Sequence, residues 1–326
     1  MAISLRRAEQ HAKEWAAKLG SRSRWPKHLF FASHVTTAAK IIASGCLRSR
    51  DTVGRIEHDV ANQEALGTNR DAWKYVRLYF RPRTDFHLRT EGIKLLTDRW
   101  RFDAHMSIPF MFVLNLDKVV TRHDASFCDR KMAHVGIVPG SDETYFDTID
   151  FAKVYHEAPI SDPQLRREIN DRGMAEVLVP DELPLRDGVL EAIVCRTQID
   201  ALTLQYLARG QDRYFLDKIR VSTRPVELFF CWGAYVEDFQ FSGNALTLRV
   251  RASRDYKQGQ ALKFRIVQER GGSPHMVWNA NVALADKPLR ISGFDANVQE
   301  SWLVEIEDAL AFCGRAPSIH ANVFKN

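Results

Sequence analysis

Glu176 lies inside an apolar run, Met174-Ala175-Glu176-Val177-Leu178-Val179, preceded by Gly173 and closed by Pro180. Short, β-branched and bounded by turn residues, the run predicts a strand. Side-chain alternation puts Glu176 on one face with Met174 and Leu178, and Ala175, Val177 and Val179 on the other. A carboxylate is costly to bury unless it is paired or hydrogen-bonded. Two uses fit it: an edge-strand residue facing water, or a catalytic or sugar-binding carboxylate held on a rigid strand.

A second cluster is Tyr79-Phe80-Arg81-Pro82-Arg83, directly after a strand expected over 76–80. Pro82 ends the strand and stiffens the backbone, so an arginine is presented at its mouth. That placement suits a phosphate or a developing charge, though an ordinary strand-end arginine also fits. A third is Ser33-His34, at the end of a strand over 29–33 and ahead of a helix. His34 can cap that helix or contact a ligand. His123, Cys128 and His134 match no zinc spacing, and no metal site is expected. Neither a Walker A sequence, a strand-following G-x-G-x-x-G nor a G-x-S-x-G elbow is present.

The elements that must position these residues are legible from periodicity. Leu5, Ala8, Ala12, Trp15, Ala16 and Leu19 recur at helical spacing over 4–19. A helix capped at Thr36 or Thr37 runs to Gly45. Residues 48–73 read as a long polar loop with one short helix, a length that in a compact domain usually serves function. Pro109–Leu114 and Leu190–Val194 read as strands, and Ser161-Asp162-Pro163-Gln164 opens a helix to about Asn170. After residue 222 the pattern becomes strand-rich, starting with Val226-Glu227-Leu228-Phe229-Phe230. Leu246–Arg251 and Leu262–Ile266 alternate strictly, and Gly271-Gly272-Ser273 supplies a turn. This predicts an antiparallel sandwich. Its outward face carries Arg249, Arg251, Lys263 and Arg265, either a solvated surface or a nucleic-acid platform.

With 326 residues, 45% hydrophobic and 27% charged, the chain is of globular type. The expected division is 1–27 as an N-terminal helix and basic lead-in, 28–221 as a first domain that holds the three clusters, and 222–326 as a β-rich domain for substrate or partner binding. The net charge of +5 and the arginines crowded before residue 90 permit a polyanionic partner. Five scattered cysteines, no signal-like N-terminus and no membrane-length apolar stretch lead us to expect a cytoplasmic protein with reduced thiols.

Taken in order, the clusters resemble one family, the DarT-type ADP-ribosyltransferases. Leu29-Phe30-Phe31-Ala32-Ser33-His34 followed by Gly45-Cys46-Leu47 is similar to its opening strand, His, helix and Gly-x-Leu. Tyr75 to Arg83 is similar to its Y-V-P-F-Y-F-x-P-R segment, and Met174 to Val179 to its A-E-F-L-V strand. The similarity covers roughly residues 28–197. Phe31 stands where the family usually has histidine, Arg77-Leu78 replace a Pro-Phe pair, and Thr84-Asp85 replace Ser-Pro. The resemblance implies an α+β fold: an ADP-ribosyltransferase-like split β-sheet core with peripheral helices, here followed by the C-terminal all-β sandwich-like domain. It implies NAD+ as co-substrate, with ADP-ribose attached to a nucleobase of single-stranded DNA or RNA. It also implies a toxin of a toxin–antitoxin or antiphage system, whose antitoxin is often a macrodomain hydrolase. By the same resemblance Glu176 and Arg83 are the catalytic residues, while Ser33, His34, Arg81 and Tyr79 contact the cofactor. Two other readings fit the residues: an NAD-consuming enzyme acting on protein or water, and a non-enzymatic nucleic-acid-binding module.

Overall fold

The structure, a computed structural model, describes residues 3–54, 69–99, 105–251, 260–284, 287–295 and 301–315. Residues 55–68, most of the expected polar loop, lie outside that set. Its flanks form a short helix, Arg50–Val53, and a 3-10 turn, Arg70–Lys74.

Nine strands belong to the first part of the chain. They are β1 His28–His34, β2 Cys46–Arg48, β3 Tyr75–Tyr79, β4 Pro109–Asn115, β5 Ser126–Cys128, β6 Glu176–Pro180, β7 Glu182–Pro184, β8 Leu190–Cys195 and β9 Ile219–Val221. Seven form one sheet in the order β5-β6-β3-β1-β4-β8-β9, and β2 pairs with β7 apart from it. β4 is an interior strand, buried from Pro109 to Leu114, because a strand covered on both faces needs apolar residues at every position. β1 pairs with β4 along its length, from His28 opposite Asn115 to His34 opposite Pro109. Its pairing with β3 is a single match, Phe30 opposite Tyr79. The sheet is therefore two half-sheets, β5-β6-β3 and β1-β4-β8-β9, joined at one point. That is the expected split core.

Helices surround this sheet. Leu5–Lys18 buries Ala8, His11 and Ala12, and Pro163–Arg172 starts at Asp162, whose carboxylate accepts from Gln164 N. The helix after β1 begins two residues earlier than a Thr36 cap suggests. Its N-cap is His34, whose Nδ1 accepts from Thr36 N, so it spans Val35–Ser44. No helix among the described residues is long and apolar enough to cross a membrane.

The expected strand over 226–230 does not form. Pro225–Glu227 is a 3-10 turn, and Pro225 O accepts from both Leu228 N and Phe229 N. Proline favours the turn, and Cys231 at φ 57° breaks any extended run. Phe229 instead enters the core of the first region. The sandwich begins with β10 Tyr235–Ser242, followed by β11 Ala245–Arg251, β12 Ala261–Arg270, β13 Ser273–Ala283, β14 Leu289–Ser292, β15 Ser301–Ile306 and β16 Ala309–Arg315. A β10-β11-β14 sheet and a β13-β12-β15-β16 sheet share one apolar core that includes Phe239, Leu248, Phe264 and Trp302. Gly271 and Gly272, both at positive φ, close the β12–β13 hairpin as their dipeptide predicts.

Candidate active site

Glu176 opens β6, level with Tyr79 on β3 and Cys128 on β5. It has no exposed surface, and β6 is flanked on both sides, so the reading as a water-facing edge residue is excluded. The alternation holds. Ala175, Val177 and Val179 join the main core, while Leu178 joins a smaller cluster with Cys128, Met132 and Ala72 on the side where Glu176 points. There Glu176 Oε2 accepts from Met132 N at 2.8 Å, and Oε1 lies 3.7 Å from Arg77 Nη1. Its charge is felt by its neighbours. Burial and then Glu176 push the Cys128 thiol up to about 12, and the same two causes raise the Tyr79 phenol. Burial and Arg77 lower the Lys131 ammonium. The segment over Glu176 is anchored by Arg172, which donates to Asp129.

Beyond Tyr79 the chain turns through Phe80-Arg81-Pro82-Arg83. Arg81 is buried: Nη1 donates to Val154 O at 3.1 Å and His156 O at 2.7 Å, and Nη2 pairs with Glu157. Arg83 is more open. Its Nη2 meets the other oxygen of Glu157, Nη1 donates to Val226 O at 2.7 Å, and the guanidinium lies 5.4 Å from the Phe230 ring. Burial and the neighbouring Arg22 lower its pKa. His87 braces the turn, with Nδ1–H donating to Pro82 O at 2.6 Å and the ring edge-on to Tyr79. Burial lowers its pKa to about 4, so it is neutral at pH 7, with the proton on Nδ1 that a carbonyl partner requires.

Ser33 and His34 end β1 where it parts from β3. Ser107 Oγ donates to Leu310 O at 2.6 Å, which uses its one proton. The 3.1 Å contact from His34 Nε2 to Ser107 Oγ is then donated by the histidine, and His34 Nδ1 is the acceptor that caps the helix. Ser33 is 2% exposed, and its Oγ has no hydrogen-bond partner among the described residues.

The structure thus joins Tyr79 to Glu176, and Arg81 to Arg83. No ion pair or hydrogen bond joins Arg83 to Glu176 among the described residues. β3 links the two centres, since Arg77 and Tyr79 face Glu176 and Arg83 follows four residues later. Sequence reasoning missed Glu157, Met132 and Ser107. Each acts through tertiary contact, and no spacing marks them. Arg77, legible only as a departure from the family pattern, is the cation ion-paired with Glu176 among the described residues.

Such a site offers a desolvated carboxylate, unpaired strand edges and a buried hydroxyl free to bond a ligand. These features fit a dinucleotide with an amide and ribose hydroxyls. A family model described as "ssDNA thymidine ADP-ribosyltransferase, DarT" matches residues 30–230. No curated protein matches the sequence. Among solved structures, Thermus sp. 2.9 DarT in complex with ADP-ribosylated ssDNA is 16% identical, with a TM-score of 0.49 over 63% of this chain and 97% of that one. The same protein in complex with NAD+ is 15% identical, with a TM-score of 0.46 over 60% and 96%. With well over half its length matched by the family model, the chain belongs to the DarT family of ADP-ribosyltransferases, enzymes that take ADP-ribose from NAD+.

Proposed function

We propose that this protein transfers ADP-ribose from NAD+ to a thymidine base in single-stranded DNA, with Glu176 as the central catalytic group. One observation carries the residue assignment: a fully buried carboxylate on the half-sheet where β1 and β3 part, within the segment that matches the family. In the reaction the bond between ribose C1′ and the nicotinamide nitrogen breaks and its electrons leave with nicotinamide. A base nitrogen then bonds C1′ and gives up its proton. Positive charge develops on the ribose between these events. A fixed carboxylate in a dry site stabilises such charge far better than one in water.

Glu176 meets that need, and its Oε1, beyond hydrogen-bond length from Arg77, is placed to accept from a ribose hydroxyl. Ser33 Oγ is the donor we assign to the nicotinamide amide, with His34 shaping the same end. Tyr79 supplies a ring beside the carboxylate. Arg83 binds phosphate or helps the base lose its proton, although a guanidinium is by itself a poor base. While held by Glu157 it remains a cation, so proton transfer requires that pair to open. Arg81, occupied by backbone carbonyls, holds the turn that aims Arg83 and acts through it. Because Glu176 is sealed by the segment carrying Met132, entry of an acceptor requires that segment to shift. Val135 and Val138, both strongly exposed, lie on it.

We further assign the protein as a toxin countered by a hydrolytic antitoxin of macrodomain type, a reading supported by the family resemblance. Nucleoside mass spectrometry after expression of wild type and Glu176→Ala tests the whole. An ADP-ribose increment on thymidine in wild type alone is the expected result. An increment on an RNA nucleoside replaces the acceptor, and one retained in Glu176→Ala removes Glu176 from the mechanism.

A further inference from the structure

Phe230-Cys231-Trp232 is shaped by contacts that its own sequence does not supply. The buried Glu91 carboxylate accepts from Phe230 N at 2.8 Å and from Cys231 N at 2.7 Å. Ile93 and Ala234 exchange backbone hydrogen bonds at 2.9 and 3.1 Å. Between these ties Gly92 and Gly233 meet backbone to backbone. A Cβ on Gly92 would stand 2.4 Å from Gly233 Cα, so both positions require glycine. Cys231, at φ 57°, sits in the left-handed region, which a residue with a side chain keeps only when its surroundings impose it.

What this frame presents is aromatic. Trp232 is 38% exposed, among the few large apolar side chains at the surface. Its ring stands edge-on to Phe230 at 6.0 Å, and Phe230 lies 5.4 Å from the guanidinium of Arg83. Burial and Glu91 push the intervening Cys231 thiol up to about 11, with Arg196, itself buried and paired with Asp200, and Arg251 pulling the other way. A buried carboxylate committed to two backbone amides desolvates a charge to fix a loop. That is unrewarding for a loop whose shape goes unused.

We propose that Phe230 and Trp232 form a stacking platform for unpaired bases flanking the target nucleotide in single-stranded DNA, with Arg83 at its edge. This rests on the acceptor assigned above. Every base has a π-face, so an exposed indole next to a ring that carries a guanidinium holds a single strand with little sequence preference. A duplex keeps those faces stacked on one another.

Fluorescence anisotropy with dye-labelled oligothymidylate, on the full chain carrying Glu176→Gln, reads binding apart from turnover. Adding Trp232→Ala is expected to raise the Kd about tenfold. Trp232→Phe should recover most of the loss, and calorimetric affinity for NAD+ should move less than twofold. If wild type modifies DNA and Trp232→Ala leaves the oligonucleotide Kd unchanged, the platform is wrong and the DNA assignment stands. Equal losses for the Ala and Phe variants together with a lowered melting temperature mark Trp232 as packing and also overturn the platform. If wild type consumes NAD+ and neither modifies nor binds single-stranded DNA, the acceptor assignment falls and the platform falls with it.

Discussion

The split sheet and the C-terminal sandwich follow the same strand rules and place their charges in opposite ways. On β11 and β12 the apolar residues Leu246, Leu248, Leu262 and Phe264 point inward. Their alternates Arg251, Lys263 and Arg265 point outward, where they pair with Glu237, Asp308 and Glu305. These pairs are solvated, contribute about 0–1 kcal/mol each, and turn the expected basic stripe into a mixed surface. In the first region, charged groups are inside. Glu176, Glu91, Arg196 and Asp200 are all buried, and the Arg196–Asp200 pair, 3.1 Å apart, is 1% exposed on both sides. Desolvating such groups costs several kcal/mol apiece, so they persist where geometry must be exact to the atom. The sandwich buries one such group too, Glu307, whose carboxylate accepts from Lys263 N, so the two regions differ in the degree to which charge is buried.

The sharpest way to break that contrast is Glu176→Gln, which keeps the shape and removes the charge. Transfer is expected to fall by about 10²–10³-fold. The melting temperature should hold, and a variant that transfers at the wild-type rate would show the buried charge to be structural only. Next comes acid. Burial lowers His87 to about 4 and His11 to about 3, both from an ordinary 6.5. Between pH 6.5 and those values the unfolded chain binds more protons than the folded one, so stability is complete above pH 6.5 and drains as pH falls towards 4. His87 alone accounts for about 3 kcal/mol. Neither histidine is in the sandwich. Urea melts at pH 7 and pH 4.5 should therefore show the loss, and His87→Gln should shrink it; a pH-independent midpoint would dismiss both groups.

A smaller effect probes the seam between the regions. Ser107→Ala removes the hydroxyl that Leu310 O and His34 Nε2 share, at about 1–2 kcal/mol. Weaker NAD+ binding should accompany the lost stability if His34 lines the site; stability loss with unchanged affinity confines His34 to capping. Smallest is Lys263→Ala, expected within about 0.5 kcal/mol and without effect on oligonucleotide binding. Weakened DNA binding there would revive the sandwich face as a nucleic-acid platform.

Much of this was legible in advance because it rests on local rules. The Glu176 strand, its two faces, the β11 and β12 alternation and the Gly271-Gly272 turn all follow from side-chain period or backbone freedom. The misreadings came where a neighbour overrode the local pattern. Val226–Phe230 has strand-like residues, yet Pro225 turns it and the first core claims Phe229. Thr36 is a fair cap, yet the imidazole of His34 reaches its amide first.

By itself the sequence determined that a carboxylate sits on an apolar strand and that two arginines follow another, because composition and period are properties of neighbours along the chain. Only the tertiary structure decided that Glu176 is sealed beneath Met132, that one carboxylate, Glu157, holds both Arg81 and Arg83, and that Phe230 stands beside Arg83. Each of those facts joins residues far apart in sequence. Their energies come from desolvation and contact distance, which exist only once the chain has closed on itself.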